Sequence, residues 1–249
     1  AYVIPRAQER GRDAAEMVAL MGRQGIELHL AAEPAVLAAD PSPGPGAEGG
    51  DSMAVAPGDI VVRMDQPYRN LVLTLMQVQE FPEDAPRPYD DVAWTFPLMF
   101  GAEARAVTDS AVLALATEPL SGEPRFGADV RGEGAWWVVP PTGSAFTLPA
   151  RLALGRASVW AAEDSLVVGE DSIAPGAWLI RARDLPADQA REWAAEFGLV
   201  VLGAAPGDVG DAAERHELDL PRIAVLHTWR STQAEGWARY TLDALGVPY

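Results

Sequence analysis

Cysteine is absent from this chain, and so is lysine. Without cysteine there is no thiol nucleophile, no disulfide bond and no thiolate ligand for a metal. Without lysine there is no Schiff-base chemistry and no lysine of a phosphate-binding loop. All 19 basic residues are therefore arginine, and asparagine occurs once, at Asn70. We attribute this bias to a GC-rich genome or a salt-adapted host, and we attach no function to it.

Positive charge is also scarce, because 36 acidic residues face 19 arginines and the formal net charge is −17. Binding of nucleic acid depends on neutralising phosphates, so nucleic acid is not an expected partner. No apolar stretch reaches the roughly 18 residues that a membrane-spanning helix needs, so we expect no membrane span. The 249 residues are enough for one large domain or two modest ones.

One motif occurs twice. Residues 55–66 read VAPGDIVVRMDQ and residues 173–184 read IAPGAWLIRARD, and the two agree at Ala-Pro-Gly and again at Arg63 and Arg181. Ala-Pro-Gly predicts a turn, because proline presets φ at one corner and glycine tolerates a positive φ at the next. The apolar run that follows each turn predicts a buried strand.

The preceding segments repeat as well. Residues 2–5 (YVIP) match residues 137–140 (WVVP), and residues 31–33 match residues 161–163, both AAE. We interpret the chain as one strand–helix–strand–strand–helix unit used twice, with chance identity between short stretches as the alternative. The predicted fold is therefore α/β, with three layers (helix–sheet–helix) and two similar, duplicated halves.

Periodicity and turn signals place the other elements. Helices are predicted at 12–23, 67–79, 92–100, 144–154 and 187–197. Strands are predicted at 26–32, 59–64, 102–108, 136–140, 157–162, 177–182 and 199–204. Residues 40–51 are rich in proline and glycine and predict a surface loop. Residues 81–101 find no counterpart in the second half.

The predicted domain boundaries follow from these elements. They are a first α/β unit at 1–108, a linker at 109–134, a second unit at 135–220 and the start of a third, truncated unit at 221–249. Within the third, residues 222–228 predict a buried strand and residues 231–245 a helix. A strand and helix without a following strand form an incomplete α/β unit, so we expect the chain to be cut from a longer polypeptide.

An apolar strand with few partners is an association site. We therefore expect residues 222–249 to dock on the edge of the second unit's sheet or to pair with a neighbouring molecule. The second possibility makes a homodimer or a swapped element.

Polar side chains follow the first copy of the repeated strand, where the second copy has lost them. They could bind a polar ligand together with residues of the 81–101 segment, or pair with one another and cap the following helix. The predicted ligand-binding residues are Asp65, Tyr68, Arg69, Asp90, Asp91 and Trp94.

The three histidines, His29, His216 and His227, have no second potential metal ligand at a close spacing, so we predict no metal site and no cofactor. His227 ends a predicted strand, where open α/β sheets place ligands. No GxSxG elbow is present, and Ser144 is better interpreted as a helix N-cap than as a nucleophile. We therefore predict no catalytic residue.

Two longer stretches resemble a known family. GDIVVRMDQPYR at 58–69, followed by PYDDVAWTFPL at 88–98, is similar to the region downstream of the catalytic domain in large bacterial proteins of the zinc carboxypeptidase, or carboxypeptidase A-like, family. Residues 1–5 and 23–31 fit that region too. Residues 222–249 look like the first strand and helix of a class I glutamine-amidotransferase-like domain.

The resemblance implies an exported bacterial protein, periplasmic or extracellular, and it carries no catalytic residue over. The family's HxxE and later histidine zinc ligands, and its catalytic glutamate, have no matching positions, and an amidotransferase would need a cysteine. Our leading hypothesis is a non-catalytic accessory or interaction region of a zinc carboxypeptidase-like metallopeptidase, with the peptidase domain of the same polypeptide as its partner. The alternatives are a small-molecule or peptide-binding module and an independent hydrolase that uses carboxylates.

Overall fold

The structure is a computed structural model in which the chain forms two compact units, Ala1–Gly127 and Ala128–Tyr249. It describes residues 1–40, 52–78, 82, 84–86, 95–209, 214–230 and 232–249. The predicted α/β class is confirmed, because each unit combines a main β-sheet with helices. None of the helices described is long and apolar enough to cross a membrane.

The first unit is built around a five-stranded sheet. The strands of the unit, including two outside this sheet, are β1 (Tyr2–Ile4), β2 (His29–Ala31), β3 (Ala35–Ala38), β4 (Ser52–Val55), β5 (Ile60–Val62), β6 (Arg105–Ala106) and β7 (Thr117–Pro119). Its helices are α1 (Gly11–Arg23), α2 (Arg69–Met76) and α3 (Phe96–Phe100), with one 3₁₀ turn at Ser110–Leu113. The order in the sheet is β6-β1-β5-β2-β7, with antiparallel neighbours, and β3 and β4 form a separate hairpin.

Helices cover one face of this sheet. The apolar face of α1, the helix predicted at 12–23, is fully buried there, at Ala14, Met17, Val18 and Met21. The opposite face is covered by the β3–β4 hairpin and the 3₁₀ turn, which pack on Val3 and Val61. This hairpin lies where the predicted architecture has a second helical layer. Its own two strands alternate buried and exposed residues with period two, so that one face of the hairpin packs on the sheet.

The second unit has a six-stranded sheet. The strands of the unit, including two outside this sheet, are β8 (Asp129–Arg131), β9 (Trp136–Val139), β10 (Val159–Ala162), β11 (Leu166–Val168), β12 (Asp171–Ile173), β13 (Trp178–Arg181), β14 (Val200–Ala204) and β15 (Arg215–Glu217). Its helices are α4 (Thr147–Ala153), α5 (Ala187–Phe197), α6 (Pro206–Val209) and α7 (Thr232–Ala244). The order is β15-β10-β13-β9-β14-β8, in which only β8 and β14 are parallel, and β11 and β12 form a hairpin.

The two sheets share one strand order. The run β14-β9-β13-β10-β15 of the second unit repeats β6-β1-β5-β2-β7 of the first. The register agrees as well, because Tyr2 lies opposite Val62 and its sequence match, Trp137, lies opposite Ile180. With their helices, the strands β1, β2, β5 and β6 of the first unit and β9, β10, β13 and β14 of the second follow the split β-α-β, or ferredoxin-like, arrangement. In each unit a hairpin is inserted between the second and third of these strands.

The Ala-Pro-Gly turn has the same geometry in both units. The Gly58 N–H donates to the Ala31 carbonyl at 2.8 Å, and the Gly176 N–H donates to the Ala162 carbonyl at 2.7 Å. Their φ angles are +91° and +90°, so the positive φ predicted for the turn is present. The sequence match pairs Ala31 with Ala161. These hydrogen bonds instead pair Ala31 with the next residue, Ala162.

The continuous helix α5 corresponds to two shorter helices in the first unit. Gly198 ends α5 in the left-handed conformation and leads into β14, and Gly101 does the same between α3 and β6. The expectation that all of 81–101 lacks a counterpart was therefore wrong for its last turn. The predicted loop at 40–51 lies, except for Asp40, outside the described residues, and the predicted linker at 109–134 includes β7 and β8.

The buried strand predicted at 222–228 was wrong. These residues form no strand, and the Leu226 side chain is 93% exposed. The run has the composition of a buried strand, but no described strand pairs with it. The helix predicted at 231–245 is present as α7, and it buries none of its residues.

The backbone that continues from β8, at Gly132 and Glu133, lies so close to β14 that Gly203 has no room for a side chain. A Cβ atom there would lie 2.6 Å from the backbone nitrogen of Glu133. We predict that Gly203→Ala lowers the free energy of unfolding by about 1–3 kcal/mol, because β8 must move away. Denaturant unfolding measures this, with Gly207→Ala as the control because no atom lies within 4 Å of its added Cβ. Equal stability of the two variants would contradict the described β8 packing.

Candidate functional site

The turn after β5 carries three of the predicted ligand-binding residues, the first of which is Asp65. Its carboxylate accepts two hydrogen bonds from Arg63, from Nε to Oδ1 at 2.9 Å and from Nη2 to Oδ2 at 2.6 Å. These donors lower the pKa of Asp65 below its ordinary value. Both carboxylate oxygens are thus engaged inside the turn.

Tyr68 and Arg69 begin helix α2. The Tyr68 side chain is 49% exposed, and its ring lies against Gly25, where an added Cβ would be 3.2 Å from Cε2. Arg69 is exposed. A positive charge at a helix N-terminus is unfavourable, so helix stability does not explain Arg69.

The other three predicted residues, Asp90, Asp91 and Trp94, lie outside the described residues. Their association with Asp65, Tyr68 and Arg69 stays a prediction.

Gln66 holds this turn against the segment that enters β2. Its side chain is buried. Its Oε1 accepts from the Glu27 N–H at 2.8 Å, and its Nε2 donates to the carbonyl oxygens of Glu27 at 3.1 Å and Arg63 at 2.6 Å. All of these partners are backbone groups, so the role of Gln66 is to position the turn. The sequence places it among the polar residues here but does not reveal these partners.

The repeated arginine has different partners in the two units. Arg63 is bonded to Asp65, as described. Arg181 lies with its guanidinium carbon 4.7 Å from the ring centroid of Trp136 and 5.6 Å from that of Trp160. Cation–π contacts of this kind stabilise a buried or half-buried arginine. The repeated arginine therefore forms an ion pair in the first unit and cation–π contacts in the second.

The three histidines make different contacts. His29 is half-buried on β2, and its Nδ1 atom has no hydrogen-bond partner among the described residues. His216 Nδ1 lies 3.0 Å from Glu163 Oε1, and the exposed His227 lies on an irregular segment rather than at a strand end. Within the described ranges, no group of three or more His, Asp or Glu side chains could hold a metal ion.

A groove of about 610 Å³ opens on the first unit, between the end of α1 and the strands β2 and β7. Apolar residues, among them Ile26, Leu28 and Leu120, form part of its lining, and charged side chains join them at Arg23, Glu27 and Glu123. The sequence does not predict this groove, because its lining comes from two segments, 18–29 and 119–124, that are far apart in sequence and share no motif.

Comparison of the chain with protein-family models, with curated proteins and with solved structures finds no match. Their hydrogen bonds give Asp65 and Gln66 structural roles, which leaves the groove and the exposed apolar side chains to consider for binding.

The lowered pKa of Asp65 predicts how its contribution to stability depends on pH. A carboxylate whose pKa is depressed in the folded state stabilises the fold above its unfolded pKa, and this stabilisation is lost as the pH falls through the folded value. Asp65→Asn should therefore be less stable than the parent chain at neutral pH, and the gap should close as the pH falls below about 4. Denaturant unfolding over this range measures the gap, with Arg63→Gln as the matched variant. A gap that is independent of pH would contradict the ion pair.

Gln66→Ala removes the partners of three backbone groups. We predict a loss of about 1–3 kcal/mol in the free energy of unfolding, because buried polar groups are left without hydrogen bonds. The control is Gln189→Ala on the exposed side of α5, which should change stability little. If the Gln66 and Gln189 variants unfold at the same denaturant concentration, Gln66 does not hold the turn.

Proposed function

We propose that this chain is a non-catalytic accessory region that binds another protein domain, and that this domain is a zinc carboxypeptidase-like peptidase. The observation that supports the proposal is the exposure of the C-terminal arm, which we define as residues 220–249. Trp229 is 99% exposed there, Trp237 63% and Tyr240 65%. Contiguous exposed apolar patches are uncommon on soluble monomers, and larger ones mark sites of interaction.

Trp237 and Tyr240 form an aromatic face on α7. They are three residues apart and so lie on the same side of the helix, with their ring centroids 5.9 Å apart in an edge-to-face arrangement. A helix of 13 residues is close to the shortest that is stable alone in water. Covering this face would stabilise the helix, as in complexes where an amphipathic helix lies in the groove of a partner.

Polar contacts within the arm connect this helix to the C-terminal residue Tyr249. Arg239 donates from Nη1 to Glu235 Oε1 at 3.1 Å and from Nε to the Tyr249 hydroxyl at 3.3 Å. Its guanidinium carbon also lies 5.9 Å from the Tyr249 ring centroid. Exposed contacts of this kind contribute little stability, but they restrict the arm before binding and so lower the entropic cost of docking.

The choice of a peptidase as partner rests on the sequence resemblance at 58–69 and 88–98. The same resemblance supports export to the periplasm or the extracellular space and a common polypeptide for the two domains. On this view the chain contributes a docking surface, and the partner contributes the zinc and the chemistry.

We also infer that the two units descend from one duplicated unit. The shared strand order, the matching register and the shared glycine turn support this inference. In the duplicated pair, the arm is an addition to the second unit.

The binding proposal predicts that Trp237→Ala combined with Tyr240→Ala weakens binding to the catalytic domain of a zinc carboxypeptidase-like protein from the same organism. Aromatic side chains are common binding hot spots, so we expect a loss of at least about tenfold in affinity. Isothermal titration calorimetry with the two purified proteins measures it.

The matched control is Val36→Ser, which removes another exposed apolar side chain, on the β3–β4 hairpin, and should leave the affinity unchanged. The thermal midpoint of the double variant should equal that of the parent chain, since α7 buries none of its residues. The proposal is wrong if the parent chain shows no binding, or if the double variant binds as tightly as the parent.

A further inference from the structure

Trp229 lies at the tip of a small turn in the arm. The Arg230 N–H donates to Thr228 Oγ1 at 3.4 Å, and His227 Nδ1 lies 3.1 Å from the Thr228 carbonyl oxygen. The indole between them is 99% exposed. This turn is separate from the aromatic face of α7, whose Trp237 and Tyr240 are the residues that the test of the peptidase proposal changes.

The arm also differs from the rest of the chain in charge. Residues 220–249 contain three arginines and two acidic residues, whereas the whole chain has 36 acidic residues and 19 arginines. Arg222 and Arg230 flank the exposed apolar segment that ends at Trp229. A basic segment with an exposed indole is complementary to an acidic surface with an apolar recess.

The groove on the first unit offers such a surface. Its apolar lining at Ile26, Leu28 and Leu120 can cover an indole, and Glu27 and Glu123 provide two carboxylates against the single guanidinium of Arg23. Both glutamates are exposed and so can reach an approaching arginine. The space beside Gly122 is open, since a Cβ there would meet no atom within 4 Å.

We propose that Trp229 of one copy of this chain inserts into the groove on the first unit of a second copy, and that Arg230 pairs with Glu123 at its rim. The two surfaces are different, so the contact is head to tail and joins copies into a ring or a short chain. An aromatic side chain buries roughly 150–250 Å² of its own surface, which suits an anchor in a weak, reversible contact. Because the partners carry opposite charge, added salt should weaken the association.

Sedimentation velocity of the full chain over a range of concentrations tests this inference. The parent chain should self-associate, and Trp229→Ser should weaken the association by at least about tenfold because the anchor is lost. Arg230→Glu should weaken it as well. Combining Arg230→Glu with Glu123→Arg should restore it, because the pair is then reversed in sign.

The control is the Trp237→Ala and Tyr240→Ala double variant, which should self-associate like the parent chain. If this double variant self-associates like the parent chain but no longer binds the peptidase domain, the self-association contact is distinct from the contact of the proposed function. The inference is overturned if the parent chain stays monomeric throughout, if Trp229→Ser associates as before, or if the charge reversal fails to restore association.

Discussion

The hydrogen bond from the turn glycine to the last residue of β2 in the first unit, and of β10 in the second, is the contact on which both units depend. It joins Gly58 to Ala31 at 2.8 Å and Gly176 to Ala162 at 2.7 Å. A φ near +90° is strained for any residue with a Cβ, so glycine is required. This turn returns the chain into the middle of the sheet, where β5 and β13 each lie between two antiparallel neighbours. Helices then pack on one face of these strands and a hairpin on the other.

With the central strands fixed, the units differ in what is attached to them. At the end of the repeated strand, Arg63 binds a carboxylate and Arg181 lies beside two indoles. The first unit has two short helices, α2 and α3, where the second unit has the single helix α5. The second unit also has an additional strand, β8, paired with β14. The arm departs furthest from the shared core, since its aromatic side chains are exposed and its helix buries no residue.

The sequence predicts the elements whose signal is local. The buried face of α1, the bounds of α5 and the glycine turn all follow from periodicity and turn chemistry. It fails where the outcome depends on distant partners. Residues 222–228 have the composition of a buried strand, but a strand forms only beside another. The groove joins two segments, 18–29 and 119–124, that lie far apart in sequence, and the bonds of Gln66 reach across the fold to Glu27.

The central claim is that the arm is unpartnered in the free chain and becomes covered when a partner binds. Hydrogen–deuterium exchange at low protein concentration tests it most directly, because amides without stable bonds exchange fast. We expect residues 222–230 to exchange at the rate of an unstructured peptide and α7 only slightly slower, while β5 and β13 stay protected. Adding the peptidase domain should slow exchange across α7. Protection of the arm in the free chain equal to that of β5, or no change on adding the domain, would contradict the account.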